Sequence, residues 1–230
     1  MILVAVAVLQ VLTSSDNPDE LYRHREDLAS ARRAAEIWSV RAESDFEAAW
    51  KLARITYWLG THVEGSDRRR ELERGVTAGQ AANRLEPNRP EGHFWLAANM
   101  GELASSFGVS QGLKYRGAIK SELERVLAID RAWEGGSADA ALGQWYFEVP
   151  RLMGGSHDAA KEHLRRALTY DEGNQVALLS LAEVLTSEGH VDEARSLLQK
   201  IIDLPIDPEW DPEDREYQKK AAERLRTLRR

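Results

Sequence analysis

The chain has 230 residues and no cysteine. That single absence excludes a disulfide framework, Cys-ligated zinc, iron–sulfur clusters, a thiol nucleophile and the lipid-bearing cysteine of a bacterial lipoprotein. An excess of basic charge is lacking too. Lys and Arg number 31 against 38 Asp and Glu, a formal net charge of −7, which argues against a nucleic-acid binder held by phosphate contacts. No apolar run reaches the roughly 20 residues that a membrane-spanning helix needs. No stretch alternates apolar and polar residues for long enough to make a convincing strand. The six histidines show neither an H-x-x-x-H nor an H-E-x-x-H pairing, and His157 and His163 are too far apart to share a helix face. Nothing in these patterns calls for a metal or a cofactor.

What is present reads as helix. Apolar residues make up 43% of the chain and charged residues 30%, the balance of a folded, water-soluble body. The longest apolar run, Met1 to Leu12, is followed by the small residues Thr13, Ser14 and Ser15. It has the length of a secretory signal core but no basic flank before it. Residues 1–15 are therefore expected to be an export signal, with a buried first helix or strand as the alternative, and residues 16–230 to form one helical domain. Asn17-Pro18-Asp19-Glu20 is a helix start, with Asn as N-cap and Pro in the first turn. Leu21, Leu28, Ala31, Ala35, Trp38 and Ala42 then make one apolar stripe, which predicts a long N-terminal helix. All seven prolines fall where helices would begin or end.

Internal periodicity supplies the architecture. Gln175 to Pro208 carries Leu181 and Ala182 at positions seven and eight, then Leu185, Ala194, Leu198 and Ile201 further on. Large and small residues at this spacing over 34 positions resemble one tetratricopeptide unit, in which small residues let two antiparallel helices approach. Leu142-Gly143-x-x-Tyr146 with Ala160, Leu164 and Ala167 gives a third unit, with a long turn over Val149 to Gly155. There Pro150 should end a helix, Gly154 and Gly155 should redirect the chain, and Ser156 should cap the next helix. Trp50 and Tyr57 with Ala78, Ala82 and Pro87 give a first unit. A second runs from Pro90 through Leu96-Ala97, an expanded turn from Gly101 to Gly117, and Leu127 to Asp130. Tyr217, Ala221, Leu225 and Leu228 make a closing helix. The expected fold is all-α: an α-solenoid of about four tetratricopeptide-like hairpins, a long N-terminal helix and a C-terminal capping helix.

Two motifs suggest chemistry. Gly108-Val109-Ser110-Gln111-Gly112 matches the G-x-S-x-G nucleophile elbow, which would make Ser110 the nucleophile of a serine hydrolase. The elbow needs a strand feeding a strained turn, and the preceding segment reads as helix, so an inter-helix turn is expected instead. Gly154-Gly155-Ser156 could receive an anion on free backbone N–H groups but lacks the ending of a phosphate loop, so a chain reversal is expected there. The basic stretch Lys219 to Arg230 is either the solvated face of a capping helix or a membrane contact. The expectation is a protein that is not an enzyme.

The aromatic residues point to binding. In a tetratricopeptide unit the first helix lines the concave face. Applied here, the inner positions are Lys51, Leu52, Ile55 and Trp58, then Phe94, Trp95 and Ala98, with Gln144, Phe147 and Glu183 from the later units. If this face is a recognition groove, Trp58, Trp95 and Phe147 should line one cavity, with Asn99 and Gln144 placed to orient a peptide or a small apolar ligand. Packing against oversized turns is the alternative use of the same rings.

Three strings carry a family likeness: LARITYWLG (Leu52 to Gly60), GHFWLAANMG (Gly92 to Gly101) and LGQWYFEVPRLMGGS (Leu142 to Ser156). They resemble the T-component family of TRAP transporters, tetratricopeptide-like proteins of the bacterial cell envelope. The regulators of microtubule dynamics share a related pattern. The resemblance implies a non-enzymatic accessory of solute uptake, exported to the periplasm or envelope, whose partner would be a periplasmic solute-binding protein or a small apolar ligand. A cytoplasmic adaptor gripping a partner's peptide is the alternative, and a second copy of the chain is a further candidate partner.

Overall fold

The computed structural model describes residues 17–228, and the expected signal segment lies outside the described residues. Eleven α-helices follow one another among these residues: α1 (Pro18–Arg23), α2 (Leu28–Ser39), α3 (Phe46–His62), α4 (Gly65–Leu85), α5 (Pro90–Ser106), α6 (Val109–Ile129), α7 (Trp133–Glu148), α8 (His157–Tyr170), α9 (Gln175–Ser187), α10 (Val191–Asp203) and α11 (Asp211–Leu228). The starts are encoded locally. Asn17, Asp27, Asp45, Ser156 and Asn174 each turn a side-chain oxygen onto a free amide of the following helix, a contact worth about 1 kcal/mol.

Four hairpins form, α3 on α4, α5 on α6, α7 on α8 and α9 on α10. Their first helices make an inner wall, with α3 against α5 and α7 against α9. The helix crossings are tight because the sequence supplies small residues there. Ala182 and Ala194 are both buried at the crossing of the fourth hairpin, as their register requires. Gly75 has Asn99 and Thr56 where a Cβ would stand, and Gly143 has Leu164 only 2.4 Å from that position. Helix α11 closes the array by burying Ala221 and Leu225 against the C-terminal core.

The N-terminus and the second turn depart from the sequence reading. The single long N-terminal helix is two, α1 and α2. Asp27 accepts from the Ala29 and Ser30 amides and starts a new helix, while the guanidinium of Arg25 turns inward at the break. The expanded turn from Gly101 to Gly117 is only Phe107 and Gly108, the latter at φ +83°. The stripe of Leu103, Ile119 and Leu123 carries both helices through their glycines, outweighing a cost of about 1 kcal/mol per glycine.

The third turn is as expected. Helix α7 ends at Glu148, a single 3-10 turn spans Arg151–Met153, Gly154 is left-handed at φ +103°, and Ser156 caps α8. Gly155 is required for a different reason: a Cβ there would lie 1.6 Å from the Val149 carbonyl oxygen.

Candidate functional site

The residues expected to line one groove do not come together. Ile55 and Asn99 have no exposed surface, and Trp58 and Trp95 are buried. Asn99 donates from Nδ2 to the carbonyls of Ala53 (2.9 Å) and Trp95 (2.8 Å), so its amide ties α5 to α3 and faces no ligand. The Trp58 indole N–H donates to the Arg25 carbonyl at 2.7 Å, and its ring stacks on His62. Trp95 packs on Tyr57 and Phe94. Phe147 belongs to a separate cluster beside His157, and Gln144 donates to Glu148. Lys51 is paired with Asp19 and Glu183 with Arg224. The tryptophans are sealed because the N-terminal helices and α11 cover them, a long-range closure that repeat spacing cannot announce.

That closure is a clasp. Arg25 donates from Nε to Glu213 on α11 at 2.8 Å, pairs its terminal nitrogen with the same carboxylate, and also reaches the Glu209 carbonyl at 2.9 Å. Tyr22, Trp58 and Trp210 surround its charge. One unit along, His62 Nε2 lies 2.6 Å from Glu216 while Nδ1 faces the Trp58 carbonyl at 2.7 Å. Both ring nitrogens face oxygen acceptors, which suits the doubly protonated ring. Burial works against the charge, but the Glu216 hydrogen bond prevails and raises the His62 pKa. Glu216 is held below the usual carboxylate range by the same bond. Tyr217 of α11 is so enclosed that burial pushes its phenol up to about 12.

The backbones of α5 and α7 do not pack closely, and Phe94 meets Trp133 across the gap at 5.0 Å between ring centroids. Arg54 stands on α3 with its guanidinium 3.8 Å from the Tyr22 ring and 4.8 Å from the Trp50 ring. Neither Arg54 Nε nor Trp50 Nε1 has a hydrogen-bond partner among the described residues. No ion pair among these residues engages Arg54, whereas nearby Arg25, Lys51 and Arg89 all have carboxylate partners.

Glu134, at the start of α7, feels the positive charge of Arg54. It is the one non-glycine among the described residues with positive φ, at φ 46° and ψ 50°. The left-handed turn continues through Gly135 and Gly136 and is fixed by Asn174, which donates to the Gly135 carbonyl. Burial is the first cause raising the Glu134 pKa. The negative charge of Glu209 adds to it, the charge of Arg54 opposes, and Glu91 adds again. Arg25, Arg54 and Glu134 were not among the residues expected from sequence. Arg54 follows Trp50 by one helical turn, a spacing that could have drawn attention to it; the partners of the other two are distant in the chain.

Enzymatic features are sparse. Ser110 is exposed in the first turn of α6, and no histidine is hydrogen-bonded to it among the described residues. No helix of the described residues is long and apolar enough to cross a membrane, and none of their His, Asp and Glu groups could hold a metal ion.

The family model for "Regulator of microtubule dynamics protein 1-3" matches residues 15–154, more than half of the chain. The chain belongs to that family. A tetratricopeptide-repeat model takes up residues 152–223 of this family member. A thermophilic tetratricopeptide-repeat protein of Thermus thermophilus superposes with a TM-score of 0.66 at 21% identity, covering 92% of this chain and 99% of its own. Two crystal structures of MamA superpose with TM-scores of 0.52 and 0.51 at 17% and 18% identity. They cover 87% and 91% of this chain and 95% and 92% of their own. These likenesses establish the tetratricopeptide-type solenoid, a scaffold generally used for protein–protein interaction. No curated protein matches the chain.

Proposed function

We propose that this family member is a non-enzymatic binding scaffold that works as an exported accessory of solute uptake, with a periplasmic solute-binding protein as its partner. The observation that carries the binding role is the aromatic surface carried by α3, α5 and α7. There half-buried Trp50 lies against Arg54, which has no ion-pair partner among the described residues, and half-buried Phe94 of α5 meets Trp133 of α7. A site of convergent polar groups among aromatic walls is the usual form of a recognition surface. The solute-uptake role is supported by the three family-like strings, which begin on α3, α5 and α7, the helices that carry this surface.

Expression with a C-terminal tag in a Gram-negative host tests the reading. Fractionation followed by N-terminal sequencing should find the protein in the envelope fraction with a new N-terminus near Ser15. It should then co-purify with a solute-binding protein. An intact Met1 in the cytoplasmic fraction sinks the uptake role and favours the peptide-gripping adaptor.

A further inference from the structure

Two adjoining segments of the solenoid expose apolar side chains beside cations. Among the described residues seven large apolar side chains are exposed. Four of them, Val109, Leu113, Leu152 and Met153, fall on just two segments, the start of α6 and the turn between α7 and α8. Single exposed apolar residues are ordinary, whereas a cluster of them marks a contact surface. The two segments share Trp145 of α7. Its indole N–H donates to the Arg116 carbonyl of α6 at 3.1 Å, and its ring lies 3.8 Å from where a Cβ of Gly154 would stand. Phe107, Tyr115 and Val149 pack on the same buried cluster, which holds Ile119 and Trp145. Charge follows the same outline. No acid occurs from Gly108 to Ser121 or from Val149 to His157, although the whole chain carries −7. Lys114, Arg116 and Arg151 have no ion pair among the described residues. Lys120 stands over the Trp145 and Tyr146 rings, 3.7 Å from Glu124. On the closing helix, by contrast, Lys220 and Arg224 are spent on Glu216 and Glu183. Glu148, the acid next to the turn, accepts from Gln144.

We propose that this edge docks on the surface of an anionic lipid bilayer, with Leu152 and Met153 entering among the headgroups and Lys114, Arg116 and Arg151 against their phosphates. The form of the patch selects the occupant. Leu152 is fully exposed in the 3-10 turn, and Val109 is 78% exposed at the start of α6. Projecting side chains enter a fluid interface without needing a matching groove, and apolar tips flanked by cations are what interfacial binding uses. The cations attract acidic headgroups over about a Debye length. A chain of net negative charge is repelled by such a bilayer everywhere except at a locally basic edge, so the charge pattern also fixes the orientation of the docked protein. The docking goes beyond the scaffold role and does not depend on it.

Co-sedimentation of the full chain with vesicles of phosphatidylcholine alone, or of phosphatidylcholine mixed with phosphatidylglycerol, tests this. The mixed vesicles should bind at least tenfold more tightly, and added salt should weaken them. Lys114→Glu combined with Arg151→Glu should abolish that preference. Leu152→Ser should weaken binding to the mixed vesicles at least tenfold, whereas Val40→Ser, at another exposed apolar residue, should leave it unchanged. All these positions are exposed, so melting temperatures should match the wild type. Because the chain has no cysteine, Leu152→Cys can carry a single environment-sensitive fluorophore. Its emission should shift to the blue on mixed vesicles, while the same label in Val40→Cys should not respond. Absence of binding to the mixed vesicles, equal binding to both kinds, or wild-type binding in the charge or Leu152 variants would each overturn the proposal. So would a Leu152 label that stays in water while the protein sediments, since another segment would then hold the lipid. A wild-type dimer that Leu152→Ser converts to monomer, with no vesicle binding, would assign the edge to a second copy and overturn it too.

Discussion

Single side chains set how closely these helices approach. At Gly143 of α7 a Cβ would stand 2.4 Å from Leu164 Cγ and 3.1 Å from the Ala160 carbonyl oxygen. Gly143→Ala must push α8 away, at a cost of about 1–3 kcal/mol, and thermal melting should show a clear drop. Ala194, with no exposed surface at its own crossing, should respond to Leu by a similar amount, and an unchanged melting temperature would refute the register of the fourth hairpin. These positions were legible in the sequence because their requirement is local: a small residue at a fixed spacing from a large one. Arg25 was not legible. Its partner Glu213 is 188 residues away, and no periodicity links the two. Glu134 was hidden for another reason. Glu-Gly-Gly reads as an ordinary flexible turn, and only the backbone angles reveal that the first residue is strained.

Helix α11 does more than cap the stack. Its outer turns cover the C-terminal core, and its first turns reach back to the N-terminal segment and α3 through Glu213 and Glu216. The capping role was legible from Tyr217, Ala221 and Leu225, whose spacing fixes one apolar face. The reach to the N-terminus was not, since it depends on the curvature of the whole solenoid. The His62–Glu216 contact makes this docking pH-dependent. The His62 pKa is raised above 6.5, so its contribution is complete below that value and fades as pH rises through the folded pKa. The Glu216 pKa is lowered below 4.5, so its contribution is present above that value and fades as pH falls through the folded pKa. The pair therefore stabilises most between about 4.5 and 6.5. Both groups are partly exposed, which limits the effect to about 1 kcal/mol or less. His62→Ala should melt lower than the wild type at pH 6, and the gap should narrow at pH 9. A gap independent of pH would mean that only the stacking on Trp58 matters.

At the scale of the molecule the solenoid is closed on itself. An open array of repeats behaves as a row of neighbours whose ends can fray independently, whereas here Arg25 ties the first helices to the last. Removing one partner of a buried ion pair costs about 3–5 kcal/mol, because the other charge is left without compensation. Glu213 is partly solvated, which places Arg25→Ala at the lower end of that range. Urea unfolding followed by circular dichroism and by tryptophan fluorescence should give coincident transitions in the wild type. In Arg25→Ala the two should separate, because the N-terminal helices release first. Coincident transitions in the variant would show that stacking alone makes the molecule cooperative. The number and order of hairpins were legible from repeats; closure was not, since it is a property of their sum.

The clasp also has an elastic consequence. A superhelix of stacked hairpins is a spring whose pitch adjusts to load, and a spring tied end to end has lost that adjustment. Arg25 and Glu213 act on the arc of α3 to α10 as a string acts on a bow, fixing the span of the inner wall and with it the separation of α5 from α7. The width between Phe94 and Trp133 is thus set by a contact between the two ends of the chain. Cutting the string with Arg25→Ala should let the arc relax, and small-angle X-ray scattering should then record a larger radius of gyration at unchanged helix content.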